Sequence, residues 1–170
     1  RHVINASGVI IHTNLGRSPL APEAVEAVVD VAKGYSTLEY DRNTQGRGSR
    51  HSHIEQLICT LTGAEAALAV NNNAAAVMMV LNEFAANHKA VVSRGELVEI
   101  GGSFRIPDIM ELSHAAMVEV GTTNKTHLDD YVRALDDDVT MLLKVHPSNY
   151  RLIGFTESVP LSDLRNLADK

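Results

Sequence analysis

The chain has 170 residues, 45% of them hydrophobic and 21% charged, with a formal net charge of −6. This is the composition of a globular protein with one well-buried core; disordered and collagen-like classes are excluded, and no apolar run approaches the roughly 18 residues a membrane-spanning helix needs. A single cysteine, Cys59, excludes a disulfide framework or a cysteine-rich zinc module and fits a reducing cytoplasm, while the acidic balance argues against a general nucleic-acid binder.

Residues 1–20 mix polar and apolar positions without a helical period and read as an extended arm outside a single domain, 21–170. Pro22 and Glu23 open a helix with Val25, Val28, Val29 and Ala32 on one face, and Gly34 stops it. The Gly- and Arg-containing stretch 35–49 reads as a polar loop, and a second amphipathic helix carries Ile54, Leu57, Ile58 and Leu61 before Gly63. Strands and helices then alternate: strand 66–70, helix 74–86, strand 89–93, helix 103–112, strand 115–119, helix 127–136 and strand 141–145. That order predicts an α/β fold of three layers, a mostly parallel sheet with helices on both faces. The start at Arg1 and the end at Lys170, inside an amphipathic run of Leu161, Leu164 and Leu167, suggest a piece of a longer polypeptide with no signal peptide of its own.

Ligands of open parallel sheets bind beyond the carboxyl ends of the strands, so the residues after each strand are the ones to weigh. Asn71-Asn72-Asn73-Ala74-Ala75-Ala76 runs from an apolar stretch into a helix, whose free N–H groups and small side chains suit a phosphate, with Asn73 as cap or ligand. The same letters also describe a plain Asn-capped helix. Ser93-Arg94-Gly95-Glu96, Gly121-Thr122-Thr123-Asn124 and His146-Pro147-Ser148-Asn149-Tyr150 follow the later strands. Gly, Asn, Ser and Pro are equally what turns require.

Arg47, Arg50, His51 and His53 form an acid-free cationic stretch in an acidic chain, and Arg17 beside Gly16 is a further candidate. Guanidinium groups hold two oxygens of an anion at once, although arginines of a solvated loop pair as readily with acids elsewhere. His51 and His53 at i, i+2 face different sides of a helix and do not make a zinc site. Lys144 in an apolar strand is best explained by a packed stem with its ammonium at the sheet edge, and Cys59 as a small buried hydrophobe.

In this order and spacing the segments HTNLGR (12–17), TLEYD (37–41), GRGSR (46–50), NNNAAAV (71–77), SRGELVEIGGSFRIPD (93–108), VGTTN (120–124), KVHPSNY (144–150) and GFT (154–156) resemble the bacterial selenocysteine synthase family. The resemblance spans nearly the whole chain, and the sixteen-residue SRGELVEIGGSFRIPD is its most specific part. It implies the front part of the large domain of a fold type I transferase dependent on pyridoxal 5'-phosphate (PLP). It implies cofactor binding by Asn72, Asn73 and Ala74 at the phosphate and by Ser148 and Asn149 at the ring hydroxyl. Arg17 and Arg50 are the implied active-site arginines, serving the selenium donor or another anion, and the GTTN segment with Thr122 and Thr123 is implied at a subunit interface.

The implied reaction converts seryl-tRNA(Sec) to selenocysteinyl-tRNA(Sec) through a cofactor-bound aminoacrylyl intermediate, with selenophosphate as donor, in a cytoplasmic homo-oligomer built from dimers and without a membrane partner. The family's segments resembling SGDK and DLGSGS, which carry the Schiff-base lysine and the aspartate facing the pyridine nitrogen, do not occur here, nor does its tRNA-binding domain. Lys33, Lys89, Lys125, Lys144 and Lys170 all lie outside such a motif, so the chain alone is expected to be inactive. A related PLP-dependent lyase or aldolase acting on a small amino acid or sugar acid, and a non-catalytic domain, remain as alternatives.

Overall fold

The computed structural model describes residues 1–102 and 104–170, and the chain divides into two units, Arg1–Ala69 and Val70–Lys170.

In the first unit, proline at the first helical position starts α1 (Pro22–Ala32), where a missing N–H costs no hydrogen bond. The stretch read as a loop contains a small hairpin, β1 (Tyr40–Asp41) pairing antiparallel with β2 (Gly46–Arg47). Two-residue strands carry no period, so alternation does not reveal them. The turn between them is built by Asp41, whose Oδ1 accepts the Asn43 N–H at 2.8 Å. That N–H also holds the Asp41 carboxyl below the ordinary carboxylate value. Gly48 closes the hairpin: its N–H donates to the Glu39 carbonyl at 2.9 Å, and a Cβ there would lie 3.1 Å from the Asp41 nitrogen. Helix α2 (Ser52–Thr62) ends as expected at Gly63, left-handed at φ 76°, whose N–H caps the Cys59 carbonyl.

The second unit opens with α3 (Asn73–Ala85), β3 (Lys89–Ser93), and a short antiparallel pair, β4 (Glu99–Ile100) with β5 (Phe104–Arg105). It continues with α4 (Ile106–Leu112), β6 (Ala116–Val120), α5 (Leu128–Ala134), β7 (Val139–Leu143) and α6 (Leu161–Ala168). The sheet order is β6-β3-β7, all parallel, with Ser93 beside Val120 and Val92 beside Leu143 at the carboxyl edge. Successive side chains of a strand leave opposite faces, and β3 shows the consequence. Ala90 and Val92 join Leu81 and Ala85 of α3 and Ile106 and Met110 of α4 in one buried cluster. Val91 joins Val120, Tyr131 of α5, Val159 and Leu164 of α6 in the other. Helices therefore cover both faces of a parallel sheet, as the element order implied. Each fully buried Leu, Met or Val contributes on the order of 1.5–3 kcal/mol.

Three expectations are corrected. The apolar run 66–70 forms no strand: Leu68 and Val70 are exposed, and the run has no ladder partner among the described residues. An apolar run without a ladder partner has nothing to hold it extended. The helix expected at 103–112 begins at Ile106, because Phe104 and Arg105 are used in the β4–β5 hairpin; Ser103 lies outside the described residues. The last strand lies two residues earlier than expected, at Val139–Leu143, because its register on β3 begins at Lys89 and Val139.

Candidate functional site

The carboxyl edge of the sheet is where the three strand-end segments meet, and short polar contacts lace them together. The Ser93 and Thr126 hydroxyls are hydrogen-bonded at 2.7 Å, both residues buried. Arg94 donates from Nε to Glu119 at 2.9 Å and from Nη1 to the Gly121 carbonyl at 2.9 Å. Gly95 has no side chain because none fits: a Cβ there would sit 2.8 Å from the Thr123 carbonyl oxygen. Gly121, at φ 69°, is more constrained still, since its Cβ would approach Thr126 Oγ1 to 2.3 Å. Asn124 Nδ2 donates to the Phe155 carbonyl at 2.6 Å, and Glu157 exchanges backbone bonds with Asn124 and Thr126 at 3.0 Å each.

Glu96 is the centre of the lacing. It is 6% exposed, its Oε1 pairs with the Lys144 ammonium, and its Oε2 accepts the Val145 N–H at 2.8 Å. Its negative charge, after burial, pushes the Tyr131 phenol up to about 12. The Tyr131 hydroxyl is buried without a hydrogen-bond partner among the described residues. Tyr150 donates its hydroxyl to the Gly95 carbonyl at 2.8 Å, and Asn149 Nδ2 donates to the Glu99 carbonyl at 3.0 Å. Above these contacts lies an open cleft of about 560 Å³, lined among others by Ser93, Glu96, Thr126, Lys144, His146 and Tyr150. A smaller one of about 390 Å³ is lined by His146–Arg151.

The residues singled out from the sequence fall in several places. Asn72 rather than Asn73 caps α3, its Oδ1 accepting the Ala75 N–H at 2.8 Å. Asn73 and Ala74 are the first two helical residues, and the first intrahelical bond runs from the Ala76 N–H to the Asn72 carbonyl. The Asn73 and Ala74 N–H groups are thus left for an outside acceptor. None of Asn72, Asn73 and Ala74 lines the larger cleft; Ser148 and Asn149 line the smaller one. Lys144 lies one residue beyond β7, and its ammonium pairs with the buried Glu96, a partner that the sequence did not point to.

In the first unit, His12 shapes the turn that carries Arg17: its carbonyl accepts the Leu15 and Arg17 N–H groups at 3.1 and 3.0 Å. Arg17 adopts φ 65°, and its guanidinium makes no ion pair among the described residues. Arg50 is paired: Nε donates to Glu39 Oε1 at 2.8 Å, and Arg47 lies 3.8 Å from Oε2 of the same carboxylate. His53 Nε2 lies 3.0 Å from the Leu38 carbonyl oxygen, and Cys59 is half-buried.

The sequence reading missed Glu96 and Glu39. A lone acid gives no sign of its burial, although a lysine in an apolar strand and arginines in an acid-free stretch each call for a partner. Among the described residues no group of three or more His, Cys, Asp or Glu forms a metal site, and no helix is long and apolar enough to cross a membrane.

The family model for SelA, L-seryl-tRNA selenium transferase, matches residues 3–170. The L-seryl-tRNA(Sec) selenium transferase of Clostridium botulinum (strain Loch Maree / Type A3) is 58% identical over all of this chain, which covers 37% of that protein. Those of Desulfovibrio desulfuricans and Desulfomicrobium baculatum are 59% and 62% identical over 99% and 96% of the chain, which covers 35% of each. The chain thus spans little more than a third of the length of these relatives. In fold it is similar to the solved structure of D-glucosaminate-6-phosphate ammonia-lyase, with TM-score 0.69 and 19% identity over 92% of this chain and 43% of that one. On the match over residues 3–170, the chain belongs to the L-seryl-tRNA selenium transferase family.

Proposed function

We propose that this chain forms part of an L-seryl-tRNA(Sec) selenium transferase, which uses PLP to convert seryl-tRNA(Sec) to selenocysteinyl-tRNA(Sec) with selenophosphate as donor. The working enzyme is a cytoplasmic homo-oligomer built from dimers, and residues 21–170 contribute the front part of its fold type I large domain, with 1–20 as an arm. The observation that carries the reading is the start of α3. Asn72 turns its side chain onto the Ala75 N–H, and the Asn73 and Ala74 N–H groups remain for a phosphate. The partial positive charge of a thirteen-residue helix and the small side chains of Ala74–Ala76 favour the same guest.

The residues present fit the cofactor. Asn73 and Ala74 donate to its phosphate while Asn72 holds the helix end open, and Ser148 and Asn149 serve its ring hydroxyl. Asn149 keeps its Oδ1 for that purpose, since its Nδ2 is committed to Glu99. When bound, the cofactor supplies an electron sink for loss of the seryl β-hydroxyl. Arg17 and Arg50 hold anionic oxygens of the selenium donor through paired N–H groups, Arg50 after exchanging Glu39 for the guest. Lys144 is not the reacting amine, because its ammonium is tied to Glu96.

The test is Ala74→Asp in the full-length enzyme, followed by absorbance titration with PLP. A carboxylate in the first turn favours the helix, so the fold is retained, yet it repels a phosphate at the same N–H groups. Cofactor affinity is expected to fall by about tenfold or more, the effect of roughly 1.4 kcal/mol. Unchanged affinity overturns the assignment of this helix start. Formation of selenocysteinyl-tRNA from seryl-tRNA and selenophosphate tests the activity itself, and pyruvate as the only product points to the lyase alternative.

A further inference from the structure

The most heavily buried acid among the described residues serves no step described so far. Glu96 stands in the short turn after β3, and everything it holds belongs to the segment after β7. The ladder between the two strands ends at the pair Val92 and Leu143, where the chain turns away at Arg94. Beyond that point the Val145 N–H has no strand to donate to, and Glu96 Oε2 takes it at 2.8 Å in place of a main-chain carbonyl. Lys144 neutralises the same carboxylate, which is what makes a charge tolerable at 6% exposure. At the other end of the loop, Tyr150 donates to the Gly95 carbonyl and Asn149 to the Glu99 carbonyl. A five-residue loop, 146–150, is thus fixed at its entrance and its exit by one segment, 95–99.

We infer that Glu96 is a positioning residue: through the Val145 N–H it sets the loop that presents Ser148 and Asn149 to the cofactor ring, with Lys144 as its counter-ion. The inference rests on the proposed function, since it needs the loop to face PLP. It gives the SRGELVEIG segment a task of its own, as the mount for the HPSNY segment rather than as a direct ligand.

Two charge-neutral double variants of the full-length enzyme separate the hold on Val145 from the ion pair. Glu96→Gln with Lys144→Met keeps a side-chain carbonyl for the Val145 N–H; Glu96→Leu with Lys144→Met removes the acceptor. Both are checked for native circular dichroism and then titrated with PLP by absorbance, while amide hydrogen exchange is read over 146–150. The Gln pair is expected to bind PLP within about threefold of wild type, and the Leu pair about tenfold or more weakly with faster exchange in the loop, because only the Leu pair leaves the Val145 N–H without an acceptor. Equal affinity in the two pairs overturns the inference, whether both match wild type or both are weakened alike. Failure of the wild-type enzyme to take up PLP overturns the proposed function instead. Should the Leu pair not fold, Glu96→Ala with Lys144→Met takes its place, since it also removes the acceptor without adding bulk: weaker PLP binding than in the Gln pair with faster exchange in 146–150 supports the inference, and binding equal to the Gln pair overturns it.

Discussion

The two units are written in the same amphipathic language and hold together by different means. In Arg1–Ala69 both helices carry a regular apolar stripe, yet neither has a buried residue, and Val28 is 57% and Leu61 85% exposed. What order the unit has comes from local devices: a left-handed glycine, an aspartate turn, a carboxylate shared by two arginines. In Val70–Lys170 a three-stranded sheet gives the helices something to cover, and two buried clusters result. Helical period thus determines which face is apolar; a partner surface determines whether that face is worth anything in stability.

The largest effect expected from this contrast is in the buried methionine of α4. Met110 is 0% exposed, so Met110→Ala should destabilise the chain by about 2–5 kcal/mol, whereas Leu61→Ala should stay within about 0.5 kcal/mol. Urea unfolding of the 170-residue chain measures both. Comparable losses at the two positions would erase the distinction between the units.

A second pair of glycines isolates space from backbone strain. Gly63 and Gly121 have φ of 76° and 69°, but a Cβ at Gly63 meets nothing within 4 Å while one at Gly121 strikes Thr126 and the Lys125 carbonyl. Gly63→Ala should cost about 1 kcal/mol from φ alone, and Gly121→Ala roughly 2–4 kcal/mol because overpacking is added. The same denaturation midpoints decide, and equal costs would show that the turn after β6 yields freely.

These contrasts also show how far the letters reach. Lys89–Ser93 was legible as a strand because a run of β-branched and small apolar residues is flanked by polar ones, and the two-faced packing of Val91 against Ala90 and Val92 follows from alternation. The stretch 66–70 has the same apolar character and no partner, and pairing is a property of two segments, so one segment could not disclose it. The hairpin at Tyr40–Arg47 was hidden by its brevity, though Asp41 two residues before Asn43 is a turn signal. At the candidate site, Asn72–Ala74 was legible as a helix start and Lys144 as a lysine whose stem packs in an apolar strand. Glu96 was not, because the contact that buries it spans 48 residues of sequence.

Ionisable pairs of the second unit contribute smaller effects. Lys89 donates to Asp136 at 2.6 Å across 47 residues; this bond holds the Asp136 carboxyl below 3.8 and the Lys89 ammonium above 10.5. The aspartate's contribution is therefore present above pH 3.8 and lost as the pH falls through its lowered folded value, while the lysine's is present below pH 10.5 and lost as the pH rises through its raised one. Tyr131, whose phenol is pushed up to about 12, adds to the alkaline side: its unfolded form ionises from pH 10 while the folded form does not, so stability falls between the two. Urea midpoints against pH should lose part of the acid limb in Asp136→Asn and part of the alkaline limb in Tyr131→Phe. Retention of both limbs would place the responsible groups elsewhere.

The smallest change in stability is expected in the first unit, at Glu39, and it carries the opposite sign for binding. The carboxylate holds Arg50 by hydrogen bond and Arg47 at 3.8 Å, but the arginine side chains are 59% and 87% exposed, so solvent screens the pairs. Glu39→Gln should cost no more than about 1 kcal/mol. It frees a guanidinium that an anion must otherwise win from an internal competitor, so phosphate should bind the full-length enzyme more tightly by about threefold or more, most clearly at low salt where screening is weak. Calorimetric titration of phosphate into wild type and Glu39→Gln, at low and high ionic strength, provides the comparison. Weaker binding in the variant would mean that Glu39 orients Arg50 for the guest instead of competing with it, and the same carboxylate would then belong to the anion site rather than stand against it.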